Sequence, residues 1–179
     1  MKEEPAKKIA PEVIEAYRES IAPKVLLSLV RGIMKGVFEL DEEARNRVLK
    51  EMAWACYDGF REFLEQPATT PMDIDSACEW LKKTVPHERC FHRTGDTVIW
   101  DEPMEDPYGG CMCPLVRLGL IEPRPELCVC STLSQKRTLE ELTGIPMEAE
   151  LVESVNTGFR NCLFRFHLKP TVYSSKSGK

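Results

Sequence analysis

The spacing of the apolar residues changes along the chain, and this change limits the possible folds more than any other sequence feature. Between residues 9 and 84 they recur at steps of three and four, as on one face of an amphipathic helix. Between residues 146 and 168 they alternate with polar residues, as in strands with one buried face. The sequence therefore predicts an α+β fold, with an N-terminal helical half packed on a sheet.

Capping and turn residues predict where these elements begin and end. Helices are expected at about 9–21, just after Pro23, from Asp41 to about Glu65, at 73–84 and from Ser131 to Leu142. Gly144 is expected to end the last helix. Strands are expected at about 87–92, 97–101, 146–155 and 160–168, forming an antiparallel sheet of about four strands in two hairpins. Gly32 and Gly36, four residues apart, predict a helix face that another helix approaches closely.

The chain is expected to hold one globular domain. Residues 1–170 would form a single α+β domain, with a helical N-terminal part at 8–66 and a cysteine-rich part at 71–170. The segment 66–71, rich in Pro and Thr, is the expected linker between the two parts. Residues 171–179 are expected to form a disordered tail.

Charge and hydropathy exclude several classes of protein. The formal net charge is −5 and the pI is about 5.4, so composition forces no basic face for nucleic acid. No apolar run reaches the length of a membrane-spanning helix, and the charged N-terminus lacks the apolar core of a signal peptide. We therefore expect a cytoplasmic protein without a nucleic-acid or membrane partner. In that reducing compartment, clustered cysteines indicate metal or redox chemistry more than structural disulfides.

Four of the eight cysteines lie in two Cys-x-Cys pairs that are separated by fourteen residues. Four thiolates suit tetrahedral zinc, so the predicted metal ligands are Cys111, Cys113, Cys128 and Cys130. Iron, or an iron–sulfur cluster, is the alternative to zinc. In an extended strand each pair would direct its sulfurs to opposite faces, so a shared metal requires turns. At most short extended pieces are expected around Leu115 to Leu120.

The same cysteines allow two other interpretations. Cys128 and Cys130 precede the helix predicted to begin at Ser131, and the dipole at its N-terminus would stabilise a thiolate. Cys130 would then be a reactive nucleophile or a redox thiol. Burial without any chemical role is the plainest interpretation, and it is the one favoured for Cys56.

Three residues of the C-terminal strands are candidates for lining a pocket, namely Cys162, Glu153 and Phe164. Cys162 and Phe164 share the apolar face of the last strand, where core packing is the favoured role of the cysteine. Glu153 is in phase with the apolar residues of its strand, so its carboxylate could point inward. No catalytic base is identified, because no His or Asp can be paired with Cys130.

One pattern runs through the last third of the chain: Cys128-Val-Cys130-Ser131, Leu142-Thr-Gly144-Ile-Pro146, Glu150-Leu-Val-Glu-Ser154 and Cys162-Leu-Phe164-Arg-Phe166. It resembles the C-terminal part of the 4-vinyl-reductase-like small-molecule-binding domains. It is also similar to the L-2-amino-thiazoline-4-carboxylic acid hydrolase-like proteins. This resemblance covers about residues 108–168 and implies an antiparallel sheet on helices, often in a dimer, with a small molecule or a cysteine-held metal. Phe159 departs from the hydrolase-like pattern, which has an acidic or amide residue after the glycine.

These features together predict a small-molecule-binding domain with a cysteine-ligated zinc site. The first alternative is a hydrolase of a small C–N-bonded substrate, which would use the Cys130 thiolate or the metal. The second alternative is an iron–sulfur or redox-thiol protein. A homodimer is expected, because the apolar N-terminal helices exceed what one small sheet needs for its cover.

Overall fold

The computed structural model of this 179-residue chain describes residues 11–63, 71–84, 90–102, 111 and 113–169. The chain divides into two compact units, Met1–Asp41 and Glu42–Lys179. The first is helical, and the second holds a four-stranded antiparallel sheet with further helices. The predicted α+β class is confirmed. The organisation of residues 1–170 as one domain stays a prediction.

The first unit follows one continuous helical path. Helix α1 (Pro11–Ala16) leads through a π-helical turn (Tyr17–Ile21) into α2 (Ala22–Glu39). The interruption predicted at Pro23 is therefore wrong. This proline lies in the first turn of α2, where a helix makes no use of the missing N–H group.

The α2 face that carries Gly32 and Gly36 is open. A Cβ atom added at either glycine would meet no described heavy atom within 4 Å, so the predicted close approach of another helix is not found in the described part of the chain. Leu26, Leu29 and Ile33 are exposed on the same helix. No helix among the described residues combines the length and the hydropathy that crossing a membrane requires.

The second unit contains the helices α3 (Glu42–Phe63), α4 (Ile74–Thr84), α5 (Pro114–Arg117) and α6 (Cys128–Thr143). Asp73 caps α4, because its carboxylate accepts hydrogen bonds from the N–H and the hydroxyl of Ser76, at 2.9 and 2.6 Å. Gly144 ends α6 in the left-handed conformation with φ 68°, as the sequence predicts.

The predicted start of α6 is wrong. The helix begins at Cys128 and not after Ser131, because a 3-10 turn at Pro125–Leu127 leads the chain directly into it without a side-chain cap. Both cysteines of the second Cys-x-Cys pair therefore lie in the first turn of a helix.

The extended pieces expected at Leu115 to Leu120 are also absent from the described structure, which has α5 there instead. Pro114 presets a helical backbone angle at the first position, and the amides of Val116 and Arg117 donate to the Cys113 carbonyl. Pro114 and these two hydrogen bonds therefore determine the backbone conformation at Cys113, where α5 begins.

Two hairpins form the sheet, as predicted. Strands β1 (Cys90–Thr94) and β2 (Thr97–Glu102) form the first, and β3 (Met147–Glu153) and β4 (Cys162–Leu168) form the second. The strand order is β1-β2-β4-β3 and every neighbouring pair is antiparallel. The two hairpins join along β2 and β4, where Trp100 lies opposite Phe164.

One side of this sheet is covered by helices. Helix α4 packs on β1, α6 packs on β3, and α3 packs on α6. The largest buried side chains of the sheet are Phe91, Trp100, Phe164 and Phe166. The helices add Ala77, Leu81, Leu139 and Leu142 to the same core. Burial of these side chains supplies the main driving force for folding of the unit.

Several predicted features lie outside the described residues. They are the beginning of the first predicted strand at 87–89, most of the linker at 66–70 and the tail at 171–179.

We expect Gly144→Ala to lower the free energy of unfolding by about 1–2 kcal/mol, because a left-handed backbone is unfavourable for any residue with a Cβ atom. The added Cβ would also meet the Pro71 ring at 3.4 Å. The control is Gly59→Ala in α3, where nothing described lies within 4 Å and a gain of about 1 kcal/mol is expected. Urea unfolding measures both. Equal stability of the two variants would contradict the prediction.

Candidate functional site: a cysteine-lined cavity

The two cysteines at the start of α6 point in different directions. Successive residues of an α-helix are rotated by about 100°, so residues two apart lie about 200° apart around the axis. Cys128 consequently lies beside the chain that follows β3, whereas Cys130 lies beside α3. Both side chains are buried.

Cys128 belongs to a small polar cluster. Its Sγ atom lies 3.0 Å from the Oγ atom of Ser154, which is itself fully buried. The Nδ2 atom of Asn156 donates to the same sulfur at 3.6 Å. Asn156 also contacts the thiol of Cys111, so a single amide links one cysteine of each Cys-x-Cys pair. Burial raises the pKa of the Cys111 thiol, which favours its protonated form.

Cys130 is paired with Cys56, a half-buried residue of α3. A hydrogen bond from Cys130 lowers the pKa of Cys56 to about 7, against the opposing effect of burial. The same bond raises the pKa of Cys130, and burial acts in the same direction. Cys56 is therefore the first of the two thiols to lose its proton as the pH rises, and Cys130 keeps its own. The sequence assigned the reactive thiolate to Cys130, whereas the structure favours Cys56.

Cys113 lies near this pair at the start of α5. Burial raises the pKa of its thiol, and the negative charge of a Cys56 thiolate adds to the shift. The thiols of Cys56, Cys113 and Cys130 consequently lie near one another, although their positions in the sequence are far apart.

A cavity of about 420 Å³ opens between α3, α5, α6 and β2. Its walls combine three thiols, apolar side chains, small polar side chains and one guanidinium group. The lining residues are Cys56, Phe60, Trp100, Cys113, Pro114, Arg117, Leu118, Cys130, Ser131, Ser134, Gln135 and Thr138. This size and composition are typical of a small-molecule site.

The structure thus divides the four predicted metal ligands between two neighbouring places. Cys113 and Cys130 line the cavity, and Cys111 and Cys128 lie in the polar cluster of Ser154 and Asn156. All four are buried. Across the described part of the chain, no three His, Cys, Asp or Glu side chains are grouped so that they could hold a metal ion. Zinc, or iron in its place, stays a prediction.

The three predicted pocket-lining residues lie elsewhere. Cys162 and Phe164 are buried in the core on one face of β4. Glu153 is half-buried at the end of β3, next to an irregularity in the pairing with β4. None of the three is among the described residues that line the 420 Å³ cavity.

Sequence reasoning missed Cys56, Phe60 and Arg117 as cavity residues. Cys56 and Phe60 share one face of α3, since they are four positions apart, and that spacing was interpreted as core packing. A cysteine beside an aromatic residue on a helix face gives no signal that distinguishes a cavity wall from a core. Only the packing of α3 on α6 brings Cys56 to Cys130.

No protein-family model matches the chain, and no curated protein matches it. Among solved structures, it is similar to trafficking protein particle complex subunit 3 from Naegleria fowleri, which is covalently bound to palmitic acid in its crystal structure. The identity is 15%, the alignment covers 81% of this chain and 93% of that chain, and the TM-score is 0.46. A similarity at this level carries no functional conclusion. The resemblance to 4-vinyl-reductase-like and thiazoline-hydrolase-like proteins stays a prediction.

We expect alkylation of Cys56 by iodoacetamide to accelerate as the pH rises through about 7, because the thiolate is the nucleophile. In Cys130→Ala the hydrogen bond is lost, so the midpoint should move up towards the ordinary value near 9.0. Timed alkylation over a series of pH values, followed by peptide mass spectrometry, measures both midpoints.

Cys78 of α4 is the internal control for this experiment. Burial raises the pKa of its thiol, and the nearby Asp75 carboxylate raises it further. Cys78 should therefore react slowly where Cys56 already reacts fast. Identical midpoints for Cys56 in the unaltered chain and in Cys130→Ala would contradict the assigned hydrogen bond.

Proposed function

We propose that this chain is a small-molecule-binding domain, with its ligand in the cysteine-lined cavity. The observation that carries the proposal is the cavity of about 420 Å³ itself. The cavity opens to solvent and its wall is mostly apolar, so a ligand that enters it would cover apolar surface that water otherwise contacts. Its volume lies within the range of about 300–1,000 Å³ that small-molecule sites occupy.

The wall of the cavity favours an amphipathic ligand. Phe60, Trp100 and Leu118 offer apolar surface. Arg117 is the one cationic side chain among the described lining residues, and it suits a carboxylate or another anionic group. Hydroxyl and amide groups on α6 add hydrogen-bonding positions beside them. A flat or apolar molecule with one acidic group fits this arrangement.

The hydrolase alternative has less support. Hydrolysis with a cysteine nucleophile needs a general acid and base within hydrogen-bonding distance of the reacting atoms. The described residues that line the cavity include no His, Asp or Glu. The raised pKa of Cys130 also keeps this thiol protonated, which opposes its use as the nucleophile. Binding without turnover is therefore the favoured function.

We expect Ser134→Phe to weaken binding of the amphipathic anion 1-anilinonaphthalene-8-sulfonate about tenfold or more, because the phenyl ring would fill part of the cavity. The matched control is Glu141→Phe, which places the same ring at an exposed position of the same helix. Fluorescence titration measures both affinities. Equal binding by the two variants would show that the probe occupies another surface, and would count against the cavity as the ligand site.

A cysteine-bound zinc is a second candidate, supported by the burial of all four cysteines around the cavity and the adjoining polar cluster. Its formation would require the sulfurs of Cys128 and Cys130 to turn towards a common centre. A bound metal would keep the four thiols deprotonated, whereas burial contributes to the raised pKa values of Cys111, Cys113 and Cys130 in the metal-free chain.

We expect about one equivalent of zinc in protein purified without a chelator, lost in Cys113→Ser and in Cys128→Ser. Cys162→Ser, which removes a core thiol away from the cluster, should retain it. Elemental analysis measures the metal. Metal-free protein in which Cys111, Cys113, Cys128 and Cys130 are all open to alkylation after mild unfolding would end the zinc proposal.

We also propose that the first unit forms a homodimer through α2. Leu26, Leu29 and Ile33 lie on one stripe and are 61%, 56% and 63% exposed. Gly32 and Gly36 lie next to them with open space above. A second copy of α2 would cover the apolar stripe, and the glycines would let the two backbones approach closely.

We expect the double variant Leu26→Asp, Ile33→Asp to be a monomer under conditions where the unaltered chain is a dimer. The carboxylates would be buried in the interface without partners, and this costs more than the interface gains. Phe159→Asp is the control, since Phe159 is an exposed apolar residue of the other unit. Sedimentation velocity measures the mass. A monomeric unaltered chain at micromolar concentration would refute the dimer.

A further inference from the structure

Cys56 and Cys130 lie on two helices that pack on each other, α3 and α6. Both side chains line the same cavity, so their sulfurs share one wall of it. A disulfide needs two sulfurs brought together from facing backbones, and two packed helices hold the backbones in place. Neither cysteine is in a disulfide in this structure.

We infer that Cys56 and Cys130 are a dithiol site that reacts with small disulfides and closes into a reversible intramolecular disulfide on the cavity wall. The inference is independent of the proposed ligand, because it requires only that a small disulfide enters the cavity. Its two sulfurs differ in access: Cys56 is half-buried, whereas Cys130 is 6% exposed. Cys56 is consequently the sulfur that an incoming molecule reaches first.

The reaction proceeds by two exchanges. The thiolate of Cys56 attacks one sulfur of the disulfide RSSR, whose S–S bond breaks, and one thiolate RS⁻ leaves. The proton of Cys130 passes to that RS⁻, and the Cys130 sulfur then attacks Cys56 Sγ and releases the second RS⁻, which takes up a solvent proton. The two protein thiols lose two electrons, and RSSR gains them to become two RSH molecules. A dithiol outside the protein returns the site to its reduced form by the same steps in reverse.

Cys113 is the competing partner, since it lies near Cys56 on the same cavity. The backbone argues against it. Cys113 precedes α5, whose single turn ends at Arg117, while Cys56 and Cys130 lie on long helices that pack directly on each other. A sulfur contact between two rigid helices persists through small motions of the chain, which favours Cys130 as the resolving thiol.

The test uses the reduced full-length chain, bis(2-hydroxyethyl) disulfide as the probe, and peptide mass spectrometry after the remaining thiols are blocked. The expected result is a Cys56–Cys130 disulfide with a loss of two free thiols per chain. In Cys130→Ala, the reaction should stop at a hydroxyethylthio adduct on Cys56. Cys78→Ala, a matched variant away from the cavity, should form the disulfide as the unaltered chain does.

Several results would overturn the inference. They are two free thiols after exposure to the probe, a stable adduct on Cys56 with Cys130 still reduced, or a disulfide between Cys56 and Cys113. If Cys56 and Cys130 react with the probe only after a chelator is added, the two thiols hold a metal instead. Circular dichroism checks that Cys130→Ala is folded. Cys56→Ala provides the reciprocal variant, in which no disulfide at Cys130 should form.

Discussion

The packing of α6 between α3 and β3 is the interaction on which the rest of the site depends. Because α6 begins at Cys128, its first turn has to bury two thiols on opposite sides of the helix axis. One side meets the buried hydroxyl of Ser154, and the other meets Cys56 of α3. If α6 began one turn later, Cys128 and Cys130 would lie in the preceding loop, and the helix would not position their side chains.

Burial has different consequences for the thiols around this helix. Desolvation opposes ionisation, so Cys111 and Cys113 are held in the neutral form. At Cys56 the hydrogen bond from Cys130 outweighs desolvation and lowers the pKa of the thiol. The Cys56 thiol therefore ionises on the wall of a cavity that is lined by apolar side chains and one guanidinium group. A thiol with a lowered pKa in a cavity is typical of functional sites and is not needed for stability.

Local sequence signals were sufficient where the relevant contacts are close in the chain. The hairpins follow from alternating apolar residues and turn glycines, and Gly144 follows from the geometry of a helix end. The errors at Pro23 and residues 115–120 share a cause. A proline permits a helix start as readily as it prevents a helix interior, and the choice depends on what the following turn packs against.

The sequence by itself determined the α+β class, the two hairpins and the concentration of cysteines in the second half of the chain, since spacing and turn chemistry are local properties. Only the tertiary structure decided which sulfurs meet. Cys56 belongs to α3 and Cys130 to α6, and no periodicity links residues on two different helices. Their proximity, and the cavity that both line, exist because α3 packs on α6, and that packing depends on the shape of the whole core.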